Sequence, residues 1–169
     1  MVIIRRAVPD DAADVVAVLG VVVGERIHSA IDRVWTVEEE RRYLETLSPR
    51  EVIHVAVDIG QRIIGLQIVD RWSTLDSMAH VGQVGTFLLP ECRRRGVGRQ
   101  LWNETLPFAR TAGYLKLVAQ VRGSNTAAQA FYRCLGFTDC GRLSRQVIID
   151  GIEDDEVLME LPVRPLSAS

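Results

Sequence analysis

An apolar run, HVGQVGTFLL (80–89), ends at Pro90 and gives way to the turn ECRRRG (91–96) and a helical stretch beginning VGRQL (97–101). A strand that turns through glycine into a helix forces a layered fold, because each element has one apolar side to bury against the other. The same junction gathers Arg93, Arg94, Arg95 and Arg99 around Gly96 and Gly98. First-turn N–H groups of a helix lack intrahelical partners and sit at the positive end of its dipole. Glycines there leave no Cβ to hold an anion away, and arginines add charge-assisted bonds. The junction therefore reads as an anion site, with a solvated charged turn as the plainer alternative. The pattern G-x-x-x-x-G-K-[ST] is absent, and Leu101 leaves G-x-G-x-x-G incomplete, so the expected anion is a phosphate of another kind.

The rest of the chain supplies more of both layers. VIIRRA (2–7) reads as a strand, and Pro9 with three early acids opens a helix through VVAVLGVVVG (15–24). Thr36 and Glu39 have capping-box spacing for a second helix to about Leu47. VIHVAVD (52–58) and RIIGLQIVD (62–70) flank a turn at Ile59–Gln61, which predicts a hairpin. The helix from about Gly96 to Ala112 contains Pro107, which predicts a kink or an early end. YLKLVAQV (114–121) reads as a strand and Asn125–Leu135 as a helix closed by Gly136. Asp150–Gly151 marks a final hairpin. The order β-α-α-β-β-β-α-β-α-β-β predicts one α/β domain over 1–163 with a mixed sheet of about seven strands and about four helices, and a frayed tail at 164–169.

Composition narrows the function classes. With 20 Lys and Arg against 22 Asp and Glu, no global basic bias points to nucleic acid. The run 15–24 is far below the roughly 20 apolar residues that span a bilayer. The N-terminus does not read as a signal peptide. Cys92, Cys134 and Cys140 have no metal spacing, and an odd number suggests a reducing compartment. A cytoplasmic protein with no metal and no membrane partner is expected.

Two motifs carry a family resemblance. RRRGVG (93–98), preceded by FLLPEC, resembles the Q/R-x-x-G-x-G/A signature of the GNAT superfamily of N-acetyltransferases. NTAAQAFYRCLGF (125–137) is similar to that family's N-x-x-A-x-x-x-Y-x-x-x-G-F block. The resemblance covers nearly the whole chain and is weakest over 24–50. It implies a mostly antiparallel sheet splayed between its fourth and fifth strands, with acetyl-CoA as cosubstrate in the cleft. The cofactor arm would bond to backbone near Phe87 and Leu88. The pyrophosphate would lie on Arg93, Arg94, Arg95, Gly96, Val97, Gly98 and Arg99. Asn125 matches the position that contacts the arm, and Tyr132 the general acid. A homodimer is one assembly that the resemblance admits.

Acetyl transfer to an amine needs a deprotonated nucleophile and a proton for the leaving thiolate. A tyrosine hydroxyl, protonated at neutral pH, suits the second task. Tyr132 also fits as a core aromatic beside Phe131, and Asn125 as a helix N-cap. Cys134 has no sequence partner to activate it and reads as packing. Relatives often carry a glutamate where this chain has Gln83, which predicts deprotonation through ordered water. His28, His54, His80 and Glu25 are the substitutes for a base, and DGIEDDE (150–156) reads as a solvated hairpin tip, or as acids that help attract a cationic amine if the hairpin borders the acceptor site. The expected acceptor is a small-molecule amine or amino acid. A peptide amine and a non-catalytic acyl-CoA-binding module are the alternatives.

Overall fold

The computed structural model describes residues 1–163, so the tail at 164–169 lies outside the described residues. Strand β1 (Ile3–Arg6) leads through a 3-10 turn at Pro9–Asp11 into α1 (Ala12–Gly24). Helix α2 (Val37–Thr46) follows, then the hairpin β2 (Val52–Val57) and β3 (Ile63–Arg71). Next come β4 (Val81–Leu88), α3 (Val97–Thr111), β5 (Lys116–Arg122) and α4 (Thr126–Cys134). The last hairpin is β6 (Thr138–Ile149) and β7 (Ile152–Pro162). The expected element order and α/β class are both present.

Local chemistry accounts for the boundaries. Glu39 N–H donates to Thr36 Oγ1 at 3.2 Å and Thr36 N–H to Glu39 Oε2 at 2.7 Å, closing the capping box of α2. Asp150 and Gly151 both adopt positive φ, at 52° and 77°, as a two-residue hairpin turn requires. Helix α3 runs through Pro107 to Thr111 and is not cut short. Asn103, whose carbonyl loses its partner to the ring of Pro107, is exposed and can be solvated, while Phe108 and Ala109 go on to bury core surface. Strand β6 begins at Thr138, well before the VII run that marks its end, and reaches β7 through two register shifts.

The seven strands form one sheet in the order β1-β2-β3-β4-β5-β7-β6, antiparallel except for β4 against β5. Strand alternation sorts the residues onto two faces. Val69, Val84, Tyr132, Val157 and Met159 pack with Trp102 and Phe108 on the α3–α4 side. Val15, Val18, Leu44, Ile53, Val55 and Leu66 pack on the α1–α2 side. Each fully buried aliphatic side chain contributes about 1.5–3 kcal/mol, so both faces hold the sheet firmly.

Candidate active site

The parallel ladder between β4 and β5 holds only three pairs: Val81–Lys116, Gly82–Leu117 and Gln83–Val118. Beyond Gln83, β4 pairs with β3 alone, and beyond Val118, β5 pairs with β7 alone. The two strands part there and open a cavity of about 710 Å³. Leu89 N–H donates to Ile64 O at 3.0 Å. Antiparallel alternation then turns the backbone groups of Phe87 and Gly85 toward β3, and those of Thr86 and Leu88 toward the opening. The expectation of backbone bonding near Phe87 and Leu88 is thereby refined: Leu88 and Thr86 present the open edge, while Phe87 lines the cavity with its side chain.

At the mouth of the cavity, α3 begins on Gly96, whose φ of 80° is left-handed. No acidic residue lies in its first turn. Gly98 sits against α4: a Cβ there would come within 2.9 Å of the Phe131 ring. Packing as well as ligand approach therefore demands glycine. The four arginines do different jobs. Arg94 and Arg99 line the cavity, and Arg99 also donates to Cys134 O at 2.8 Å. Arg95 is exposed and does not line it. Arg93 reaches the cavity wall, but its guanidinium is committed to protein: Nη1 lies 2.9 Å from Glu25 Oε1 and 3.0 Å from His28 Nε2, and Nε donates to Leu88 O at 3.0 Å. Val97 is buried in the core, leaving only its backbone available at the turn.

On the α3–α4 side, Tyr132 is buried, with its hydroxyl 3.1 Å from Thr86 Oγ1. Thr86 in turn accepts from Gln67 Nε2 at 2.8 Å. Burial pushes the phenol up to about 12, against a smaller opposing effect of the Thr86 hydrogen bonds. The group stays protonated throughout the neutral range. Asn125 does cap α4, accepting from Ala128 N–H at 3.1 Å, while its Nδ2 donates to His28 O at 3.2 Å.

That last bond is one of several that tie the stretch after α1 across the opening. Arg122 donates to Arg26 O, and Arg26 pairs with Asp150 at the hairpin tip at 3.0 Å. The hairpin tip at 150–153 is exposed, as expected, while the acids nearer the sheet are held by protein partners. Asp154 accepts from Arg122 and Ser124, and Asp155 from Arg142.

The acetyltransferase (GNAT) family model matches residues 24–137. The chain belongs to that family. The ribosomal protein bS18 alanine N-acetyltransferase of Salmonella typhimurium is 34% identical over 74 residues, which are 44% of this chain and 50% of that protein. The chain thus spans about half the length of the curated relatives it matches. An acetyltransferase of Salmonella typhimurium solved with acetyl-CoA superposes with a TM-score of 0.91, at 20% identity over 100% of this chain and 98% of that one. A phosphinothricin acetyltransferase of Sinorhizobium meliloti, in complex with acetyl-CoA, gives a TM-score of 0.88 at 20% identity over 95% and 88%.

Of the candidate bases in this GNAT-family chain, the structure removes three from the cavity. His54 is buried against Thr105 at 3.0 Å on the α3 side, and desolvation pushes its imidazole down to about 4. His80 is exposed and outside the cavity. Glu25 is gripped by Arg93, which holds its carboxyl below the usual range. His28 lines the cavity, with Nε2 accepting from Arg93. Gln83 also lines it. Sequence reasoning missed Thr86 and Gln120, which line it too, and pointed to the acidic run 150–156 without singling out Glu156, its one member on the cavity wall. For Glu156 the signal was hidden in the acidic run, because only the β5–β7 register shows which of its acids turns inward.

Proposed function

We propose that this chain is an acetyl-CoA-dependent N-acetyltransferase that acts on a primary amine of a small molecule or amino acid, by direct transfer while both substrates are bound. Residues 1–163 are read as its single N-acetyltransferase domain. The observation that carries the proposal is the three-pair β4–β5 ladder. It opens between a strand edge that still needs partners and the acid-free start of a helix.

Acetyl-CoA fits that cradle on its chemistry. Its pyrophosphate suits the backbone N–H groups from Arg94 to Arg99 and the side chains of Arg94 and Arg99, with Arg93 acting indirectly by holding the cavity wall. Its amide-bearing arm suits the backbone of Thr86 and the N–H of Leu88, whose carbonyl Arg93 already holds, with Asn125 also lining the cavity. When bound, it supplies a thioester whose acyl carbon accepts the amine. Tyr132 is the proposed general acid: a buried phenol kept protonated, held by Thr86 and lining the cavity, which suits it to return a proton to the leaving thiolate. The relatives support this reading, since two structural neighbours were solved with acetyl-CoA and one is named for a small-molecule acceptor. A protein N-terminal acceptor is the second reading, favoured by the name of the relative that is 34% identical.

A calorimetric titration with acetyl-CoA, followed by thiol release with a panel of amino acids, small amines and an alanine-ended peptide, tests the proposal. Binding with turnover of at least one amine is expected. Absence of acetyl-CoA binding overturns it.

A further inference from the structure

The cavity wall across the sheet from Tyr132 holds a carboxylate that the proposed chemistry leaves without a task. Val121, Val157 and Met159 point to the α3–α4 side, so alternation turns Gln120 and Glu156 to the α1–α2 side. Glu156 is 7% exposed and lines the cavity. Gln120 Nε2 donates to its Oε2 at 2.9 Å, and Oε1 has no hydrogen-bond partner among the described residues. A charge buried this far is ordinarily paired. Its cross-strand neighbour Arg122 does not pair with it: that guanidinium holds Asp154 at 2.9 Å and the carbonyl of Arg26. The result is a largely buried side chain with one carboxylate oxygen open to the cavity that Tyr132 also lines.

Resting on the function proposed above, we infer that Glu156 receives the acceptor's ammonium group and takes its proton, with Gln120 orienting the carboxylate. One N–H proton passes to Glu156 Oε1 and frees the nitrogen lone pair. The C–N bond to the acyl carbon forms as the C–S bond breaks, its electron pair going to sulfur. Tyr132 gives the sulfur its proton, and the second proton lost by nitrogen restores the phenol. Glu156 releases its proton to solvent, so the products are an amide, a thiol and one proton. The site selects a cationic primary amine, because a neutral hydroxyl of the same shape offers the carboxylate a hydrogen bond but no opposite charge. The other charged or titratable groups of the cavity are His28, Arg93, Arg94, Arg99, Arg122, Cys134 and Tyr132.

Glu156→Gln keeps the size of the side chain and its bond to Gln120 while removing the charge. Acetyl-CoA affinity by calorimetry should stay within about twofold of wild type, which also reports that the variant folds. At pH 7, kcat/KM for the best amine of the panel should fall about 100-fold, within the usual range for acid–base groups. That loss should shrink as pH approaches the amine's own pKa. Glu156→Asp should keep the wild-type pH profile with a lower kcat, and it decides the matter if Glu156→Gln loses acetyl-CoA binding. Wild-type turnover in Glu156→Gln at pH 7, a loss equal at every pH, or an altered profile in Glu156→Asp overturns the inference and leaves the proposed function standing. A wild-type protein that binds acetyl-CoA but acetylates no amine of the panel overturns this inference and the amine reading. Failure to bind acetyl-CoA removes the proposed function itself.

Discussion

Arg93 grips Glu25 with both guanidinium nitrogens, joining the turn after β4 to the end of α1 across 68 residues of chain. Its Nε holds Leu88 O as well, so one side chain fixes both the strand edge and the stretch that crosses the opening. Glu25→Gln should leave acetyl-CoA affinity nearly unchanged but raise the acceptor KM and the amide exchange of residues 25–36. Because Arg93 lowers the pKa of Glu25, the pair contributes stability above the unfolded value of about 4.3 and loses it as pH falls through the lower folded value. Protection factors for 25–36 should therefore drop below about pH 4 in wild type and vary less in Glu25→Gln. Equal protection in the two proteins at pH 7 counts against the tie.

Tyr132→Phe keeps the ring and its packing against Phe131 and Phe137 while removing the hydroxyl. Turnover should fall about 10- to 1000-fold with acetyl-CoA affinity retained. Since burial pushes the phenol up to about 12, the wild-type rate should show no downturn from this group between pH 6 and 9. Unchanged turnover in the variant reduces Tyr132 to a core aromatic.

Asp70 lies directly opposite Gln83 in the β3–β4 register. Burial, aided by Glu51, pushes its carboxyl up to about 6. A raised folded pKa favours the folded state fully below the unfolded value of about 3.9, and that contribution is lost as pH rises through about 6. Asp70→Asn should therefore gain roughly 1–2 kcal/mol relative to wild type at pH 7.5 and nothing at pH 3.5, as urea melts at the two pH values would show.

The same register bears on Gln83→Glu, which places a second carboxylate opposite Asp70. Two carboxylates directly opposite on neighbouring strands repel. The variant should melt lower at pH 7.5, recover by pH 5, and be rescued by Asp70→Asn. A melting temperature unchanged at pH 7.5 refutes the repulsion.

Among the arginines, position decides effect. Arg94→Gln should weaken acetyl-CoA binding about 10-fold, whereas Arg95→Gln, outside the cavity, should change it less than about twofold. Gly98→Ala drives a Cβ into the Phe131 ring and should cost about 1–3 kcal/mol of stability along with affinity. Equal losses in both arginine variants would indicate a diffuse electrostatic effect in place of a built site.

Elements governed by local chemistry were readable in the chain. The capping box at Thr36, the Asp150–Gly151 turn and the Asn125 cap each rest on residues within a few positions of one another. The arginine turn was readable as an anion site but not in its division of labour, because the partner that claims Arg93 lies on α1. Glu156 could not be singled out from its acidic run for a related reason. Its direction follows from the β5–β7 register, and its neighbours Asp154 and Asp155 are claimed by Arg122 and Arg142. Pro107 left a kink and an early end both open, because its consequence depends on whether the orphaned carbonyl is wet, which periodicity does not reveal.

The unpaired edge of β4 has one more consequence. In a free sheet, a row of unmatched backbone donors and acceptors invites strands from other molecules and seeds aggregation. Here that row borders a cavity that Phe131, Tyr132, Ala30 and Ile31 also line. A polypeptide strand carries side chains on both faces and would collide with these walls. The protein thus keeps an adhesive edge in its interior and screens what reaches it by cross-section.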